Sequence, residues 1–435
     1  MAKRKQQSSK RRAVIVGGVR TPFLRAFGDF TKLDTIDLGV IVVRGLLEKL
    51  QLPWREIDSI MWGGVILPST AVNIGREIIL DLGLPEVEAT TVTRACTTSL
   101  KAITDAVGMI ERGEADVVVA GGSDSTSNAE VMMPRSFVHK AAPVFMSSRS
   151  TVKDYFALLG KLDVRRDLVP RTPSVRERTT GELMGESSEK MAKRNAISRE
   201  AQDRFALQSH QRAAAAVATG RFADEIVPVD TPDGKRIHAD GIVRGDSSLE
   251  KLAKLRPAFK KNGTLTAGNS SALTDGAAGV LLMNEAKARA LGYTPRAAFR
   301  SWSYGAVDPA DQLLIGPAIS IPEALDRAGA TLADIDVIDI HEAFAAQVLS
   351  VLKMLGSESW ARQRLGREKA VGEVAPEEIN LYGGSIALGH PFGATGARMV
   401  TTMVNELYRT DKNMALLAIC AAGGLSGAAV LEAVE

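Results

Sequence analysis

Four residues of this sequence are of the types that move acyl groups: Cys96, Cys420, His341 and His390. Cys96 stands in VTRACTTSLKAI (92–103), between an apolar lead-in and a run of small hydroxylated residues. It precedes an amphipathic helix whose first N–H groups and dipole favour an anion, which predicts a lowered thiol pKa. Thr97, Thr98 and Ser99 are small enough to leave room above the sulfur. A lone cysteine is ordinarily a buried filler; attack on a carbonyl needs a base and an oxyanion site as well. His390, in GGSIALGHPFGATG, is the best base, because a glycine-rich turn lets backbone approach a ligand closely. The glycine spacing is not GxGxxG, so no dinucleotide site is read. Cys420 closes the apolar LLAIC run before a Gly-Gly turn; a thiol of near-neutral pKa there could act as a second acid/base. His341 stands in IDIHEAFAAQ, where Ala345 replaces the second histidine of HExxH and excludes the metalloprotease reading. Its imidazole could stabilise an oxyanion, directly or through water. The small residues and hydroxyls of GTLTAGNSSALTDGAA (263–278) suit backbone packed against a slender ligand.

These residues are spread over a chain long enough for two or three packed units. A net charge of +3 argues against a general polyanion partner, nucleic acid included. The start, MAKRKQQSSKRR, is the exception, with six basic residues and no acids; it reads as a solvated leader, with a nucleic-acid or membrane tail and a transit peptide as the other readings. No apolar run approaches a membrane span. Two cysteines and five histidines exclude a disulfide scaffold, make a zinc cage unexpected and fit a reducing cytoplasm.

Strand-like and helix-like patterns alternate. AVIVGG (13–18), IDSIMWGGV (57–65) and ADVVVAGGS (115–123) read as strands, and 37–50 as a helix. Leu100, Ile103, Val107 and Ile110 mark one face of a helix that Gly113 ends. Such alternation implies βαβ units and a mostly parallel sheet. The order recurs about 280 to 300 residues later, in PEALDRAGATLADIDVIDI, GHPFGATGARMVTTMVNELY and ALLAICAAGG. The repeat indicates a duplicated α/β fold: 1–128 plus 263–285 form one half, 286–435 the other, and 129–262 an inserted loop domain. Within the insertion, 198–220 reads as a helix, and 134–173 holds Pro134, Pro143, Pro170 and Pro173 with eight Lys/Arg against three Asp/Glu.

RACTTSLKA, GGSDSTS, MGESSEKMA, GTLTAGNSSALTDGAA, HEAFAAQ, GGSIALGHPFGATGAR and CAAGG stand in the order of the motifs of the thiolase family, which this chain resembles over residues 13–432. The HEAF and CAAGG spellings and the long insertion are most similar to the β subunits of fatty-acid oxidation complexes. The resemblance implies a five-layer α-β-α-β-α fold and CoA-dependent cleavage of 3-ketoacyl-CoA. Cys96 would be the acylated nucleophile, His390 its base and Cys420 the acid/base for the acetyl-CoA carbanion. His341 stands where most of the family has asparagine holding a catalytic water. The backbone N–H groups of Cys96 and Ala422 would form an oxyanion hole, although the family usually has glycine at the second position. Met184, Ala267, Ser271 and Phe344 would line the pantetheine tunnel, and Leu183 replaces a histidine of the short-chain branch. The resemblance further implies no metal or other cofactor, CoA serving as a substrate. It implies at least a homodimer and a hetero-oligomer with a hydratase/3-hydroxyacyl-CoA dehydrogenase subunit, with 134–173 as the contact or membrane-facing surface. The competing readings are biosynthetic acetoacetyl-CoA formation, a decarboxylating ketoacyl synthase, which Cys420 argues against, and a non-catalytic scaffold or lipid carrier.

Overall fold

The computed structural model describes residues 11–171 and 175–434. Most of the basic leader (1–10) and Pro173 lie outside them. Nine strands carry the architecture: β1 Ala13–Arg20, β2 Ser59–Gly63, β3 Glu88–Val92, β4 Val117–Asp124, β5 Thr274–Asn284, β6 Ala297–Ala306, β7 Val337–Ile340, β8 Met414–Ala421 and β9 Leu425–Ala433. They run side by side as β7-β8-β9-β6-β1-β5-β4-β2-β3, and the short strand Leu24–Arg25 pairs with β5.

The duplication is written in this order. In the first half β1 is antiparallel to β5, β5 antiparallel to β4, and β4 parallel to β2. In the second, β6, β9, β8 and β7 repeat the same three relations. Where the first half continues with parallel β3, the second keeps one parallel bridge, Ile338 to Ile379. The halves join through a single register pair, Ile15 and Ala297. The expected mostly parallel sheet is therefore corrected to a mixed one. In each half the last strand, β5 or β9, runs opposite to the others, a reversal that βαβ grammar alone does not encode.

The helices of eight residues or more are α1 Thr35–Leu50, α2 Ile74–Asp81, α3 Thr98–Arg112, α4 Arg135–Phe145, α5 Val152–Lys161, α6 Met184–Arg194, α7 Arg199–Ala218, α8 Pro317–Ala328, α9 Ala345–Leu355 and α10 Thr395–Arg409. Asp34 caps α1 by accepting from the Ile36 and Asp37 N–H groups. Gly113 ends α3 in the left-handed conformation, as its sequence position predicts. Strand faces alternate between two cores. Ile15, Val118, Leu417 and Ile419 pack with Leu100, Ile103, Val400 and Val404 of α3 and α10, which form a helical layer between the two halves. Val14, Val117 and Val119 face α1 and α2, with Leu38, Val42 and Ile78. Leu416, Ala418 and Cys420 face α8 and α9, with Ile321 and Val348. This is the five-layer arrangement. Each side chain on a strand is directed by the period of two.

Residues 129–175 form a separate compact unit. Its helices α4 and α5 are joined by Phe145 stacked on Tyr155 at 5.8 Å and by Lys140 Nζ donating to the Lys161 carbonyl at 2.8 Å. Much of its apolar surface is open: Phe145, Met146, Val152, Phe156 and Leu159 are all exposed. Among the described residues no helix is long and apolar enough to cross a membrane.

Candidate active site

Cys96 enters the centre of the molecule on a tight turn. Ala95 before it has φ +47°, a left-handed conformation a non-glycine residue adopts only when its surroundings enforce it. The hydroxyls of Thr97 and Thr98 donate to the Arg94 and Ala95 carbonyls, and the Thr98 hydroxyl accepts the Arg94 N–H. The turn places the sulfur just ahead of α3. His390 arrives from the far end of the chain. Its Nε2 lies 3.2 Å from Cys96 Sγ and its Nδ1 2.6 Å from Thr395 Oγ1. With Nδ1–H donating to the threonine, the Nε2 lone pair faces the thiol.

The turn holding His390 is fixed by Asp124 at the end of β4, whose carboxylate accepts N–H groups from Val65, Ile66 and Gly393. Burial raises Asp124 to about 7 despite these bonds. Gly122 allows the approach, since a Cβ there would come within 2.4 Å of the Gly393 carbonyl oxygen.

His341 is fully buried beside His390, their ring centroids 4.1 Å apart. Its Nδ1 meets Ser385 Oγ at 2.8 Å, whereas its Nε2 has no hydrogen-bond partner among the described residues. The segment carrying Ser385 is held by Glu342, which accepts from Ser209 Oγ, Asn380 Nδ2 and the Ile386 N–H. Burial raises that carboxyl to about 6. Cys420, 1% exposed, is near enough to Cys96 that a thiolate on one disfavours a thiolate on the other.

The electrostatics correct two expectations. The helix N-terminus was expected to lower the Cys96 thiol, but burial pushes it up to about 12. The N–H groups of Ala422 and of Cys96 itself bond to the sulfur and offset that rise only in part. Cys420 was read as a thiol of near-neutral pKa; burial raises it well above the ordinary value, because its neighbours are apolar core. Burial and then Arg398 lower His390 to about 3, and His341 is lowered by burial, His390 and Arg398. At neutral pH the resting site is thus two thiols and two neutral imidazoles. A thiol, a free imidazole lone pair and two converging N–H donors can attack a carbonyl and hold the oxyanion that forms.

Of the expected tunnel residues, Ser271 and Phe344 are neighbours across two short backbone contacts. The Ser271 N–H donates to the Ala343 carbonyl, and Ser270 bridges to Phe344. Phe344 meets Phe259 edge-on at 5.7 Å, and Met184 packs on the same cluster. Ala267 is exposed in the turn that Asn269 closes by accepting the Thr266 N–H. Two open clefts of about 750 and 760 Å³ lie along 189–198; neither is lined by the cysteines or histidines of the site. Sequence reasoning missed Asp124, Ser385, Glu342, Thr395 and Glu177, which accepts the N–H of Gly423 in the turn after Cys420. Each is a polar residue in or near a motif, and only their distances single them out.

Residues 13–286 match the family described as "Thiolase, N-terminal domain", and residues 293–433 match "Thiolase, C-terminal domain". The chain is 45% identical over 427 residues to the 3-ketoacyl-CoA thiolase of Escherichia coli O157:H7 (strain EC4115 / EHEC), covering 97% of each chain. It is 44% identical over 424 residues to that of Yersinia pestis (strain Pestoides F), again covering 97% of each. Of solved structures, the acetyl-CoA acetyltransferase of Bacillus anthracis aligns with a TM-score of 0.83 at 30% identity, over 98% of this chain and 100% of that one. Human mitochondrial 3-ketoacyl-CoA thiolase aligns with 0.82 at 29% identity, over 98% and 99%.

Proposed function

The chain belongs to the thiolase family of acyltransferases, and from that premise we propose that it is a 3-ketoacyl-CoA thiolase of fatty-acid degradation. The observation that carries the reading is the 3.2 Å contact between Cys96 Sγ and His390 Nε2. As Cys96 attacks the 3-keto carbon, its proton passes to His390. The N–H groups of Cys96 and Ala422 hold the keto oxygen as it becomes an oxyanion. Collapse of that oxyanion breaks the C2–C3 bond. The electron pair enters the thioester carbonyl of the departing acetyl-CoA unit, where His341 Nε2, directly or through water, and His390 hold the oxygen. Cys420 protonates the resulting carbanion. Return of a proton from His390 to Cys420 restores both groups; the thiol of a second CoA then attacks the Cys96 thioester, its proton passing through His390 to the departing Cys96 sulfur, and an acyl-CoA two carbons shorter is released. Met184, Ala267, Ser271 and Phe344 line the path of the pantetheine arm. No other cofactor enters this cycle, since CoA is a substrate and its thioester carbonyl supplies the electron sink.

Thiolysis of 3-ketoacyl-CoAs with four to sixteen acyl carbons, followed by loss of substrate enolate, tests this reading. Rates that hold or rise with length support it. Activity confined to acetoacetyl-CoA would favour the second reading, a biosynthetic thiolase, to which the likeness to an acetyl-CoA acetyltransferase lends weight.

The working protein is proposed to be cytoplasmic, at least a homodimer, and partnered with a hydratase/3-hydroxyacyl-CoA dehydrogenase subunit. Its two cysteines, both free thiols, support the compartment. The proposed partner contact is residues 134–173, within the unit 129–175. Along α5, Val152, Tyr155, Phe156 and Leu159 form an exposed apolar stripe at helical spacing, flanked by Lys153 and Lys161. Purification from the native host should co-isolate a hydratase/dehydrogenase identified by mass spectrometry. Recovery of self-associated chain alone removes the proposal, and flotation with anionic vesicles would assign the stripe to a membrane instead.

A further inference from the structure

Asp339 and Arg398 form an ion pair in the interior, with Nη1 2.9 Å from Oδ2 and side chains 3% and 1% exposed. Asp339 lies in β7, two residues before His341, and the ladder continues past it through the His341 N–H to the Ala418 carbonyl. With a period of two, carboxylate and imidazole belong to the same strand face. Arg398 lies in α10 one turn beyond Thr395, whose hydroxyl holds His390. The pair thus ties the strand that ends at one histidine to the helix that holds the other.

Its geometry is one-armed. Among the described residues Arg398 Nε and Nη2 and Asp339 Oδ1 have no hydrogen-bond partner, whereas a forked pair would use both oxygens. Replacing such a buried pair by apolar residues is often neutral or stabilising, so stability alone is a poor reason for it. The surroundings leave its charge few competitors. Cys96, Asp124, Glu342 and Cys420 are titratable groups of the same region, with Asp275 acting on Asp124 and Glu225 on Asp339. Arg20 on β1 is taken by Glu225 and Asp240, Lys101 on α3 by Asp105, Tyr304 on β6 by Thr104, and Glu432 on β9 by Arg12.

We propose that Arg398 is a positioning residue which, through its one-armed pair with Asp339, seats α10 on β7 and sets a positive charge against the imidazolium forms of His341 and His390, adding to what burial does. The electrostatics agree, since Arg398 disfavours the protonated form of each ring. The inference rests on the proposed role of His390 as base.

The test is the pH dependence of Cys96 alkylation by iodoacetamide, with histidine ring NMR, in the full-length protein. Arg398→Met should move the acid limb and the imidazole titration upward by about one pH unit. Asp339→Asn, which leaves the cation unpaired, should move them the opposite way, and Arg398→Lys should leave them in place. A merely structural pair would lower thermal stability in all three without opposed shifts, and that result overturns the inference. If Arg398→Met does not fold, the opposed behaviour of Asp339→Asn and Arg398→Lys decides it. His390→Asn separates the two readings: if it alkylates and acylates normally while Arg398→Met still shifts the ring titration, the base assignment fails and the tuning role stands.

Discussion

His341 and His390 lie with ring centroids 4.1 Å apart, yet only His390 reaches the Cys96 sulfur. Two imidazoles this close do not both take up a second proton, because each cation disfavours the other. The pair therefore divides its labour by geometry. One ring has its lone pair on the thiol, and the other has a free Nε2 in the interior.

If Cys96 is the nucleophile, Cys96→Ser should lose thiolysis by at least ~10³-fold, as removal of a covalent nucleophile does. Intact-protein mass spectrometry after incubation with an acyl-CoA should show an acyl adduct on the parent chain and none on the variant. Normal turnover in the variant would overturn the assignment.

The resting pair is thiol and imidazole, not an ion pair, because burial raises Cys96 to about 12 and lowers His390 to about 3. Absorbance at 240 nm, compared with Cys96→Ala, should reveal no Cys96 thiolate between pH 6 and 8. The linked stability terms have opposite signs. The raised thiol favours the fold fully below its unfolded value of 9.0 and loses that contribution as pH climbs toward about 12. The lowered imidazole favours the fold above its unfolded value of 6.5 and loses its contribution as pH falls toward about 3. A thiolate band at pH 7 would show that burial does not govern this thiol.

Cys420→Ser should separate the two half-reactions. Acyl transfer between Cys96 and CoA needs no carbanion, so it should stay within about threefold, while C–C cleavage should fall by ~10²-fold or more. Equal losses in acyl exchange and thiolysis would deny Cys420 a separate role.

Gly396 marks the contact of α3 with α10. A Cβ there would meet the Leu100 backbone nitrogen at 2.7 Å and the Ser99 hydroxyl at 3.0 Å, neither at the end of a flexible side chain. Gly396→Ala should cost about 1–3 kcal/mol by overpacking, measured as a lowered urea midpoint. An unchanged midpoint would mean that the central layer has slack.

Much of this was legible in the sequence. The face Leu100, Ile103, Val107 and Ile110 is buried as its spacing requires, and Gly113 ends the helix. The repeat distance announced the second half, and the types of Cys96, His390, His341 and Cys420 announced the chemistry. Strand direction was not legible, because a buried strand reads the same either way along the chain. Nor was the sign of the thiol shift: the helix end is a local feature visible in sequence, whereas desolvation is a sum over neighbours from both halves. Asp124 and Glu342 escaped notice for a related reason, since a carboxylate in a motif carries no sign that its partners are backbone N–H groups far along the chain.

The register of β1 against β5 pairs Arg20 with Ala278, and that pairing sets a schedule for synthesis. At roughly 5–20 residues per second, β1 leaves the ribosome roughly 10–50 s before the strand that must lie beside it. Until then β4 also lacks its antiparallel neighbour, and the apolar faces of β1 and β4 have nothing to close against. The first half of the molecule is therefore completed late in translation. The stretch between must fold on its own or be kept from aggregating while the chain waits for residues 274–284.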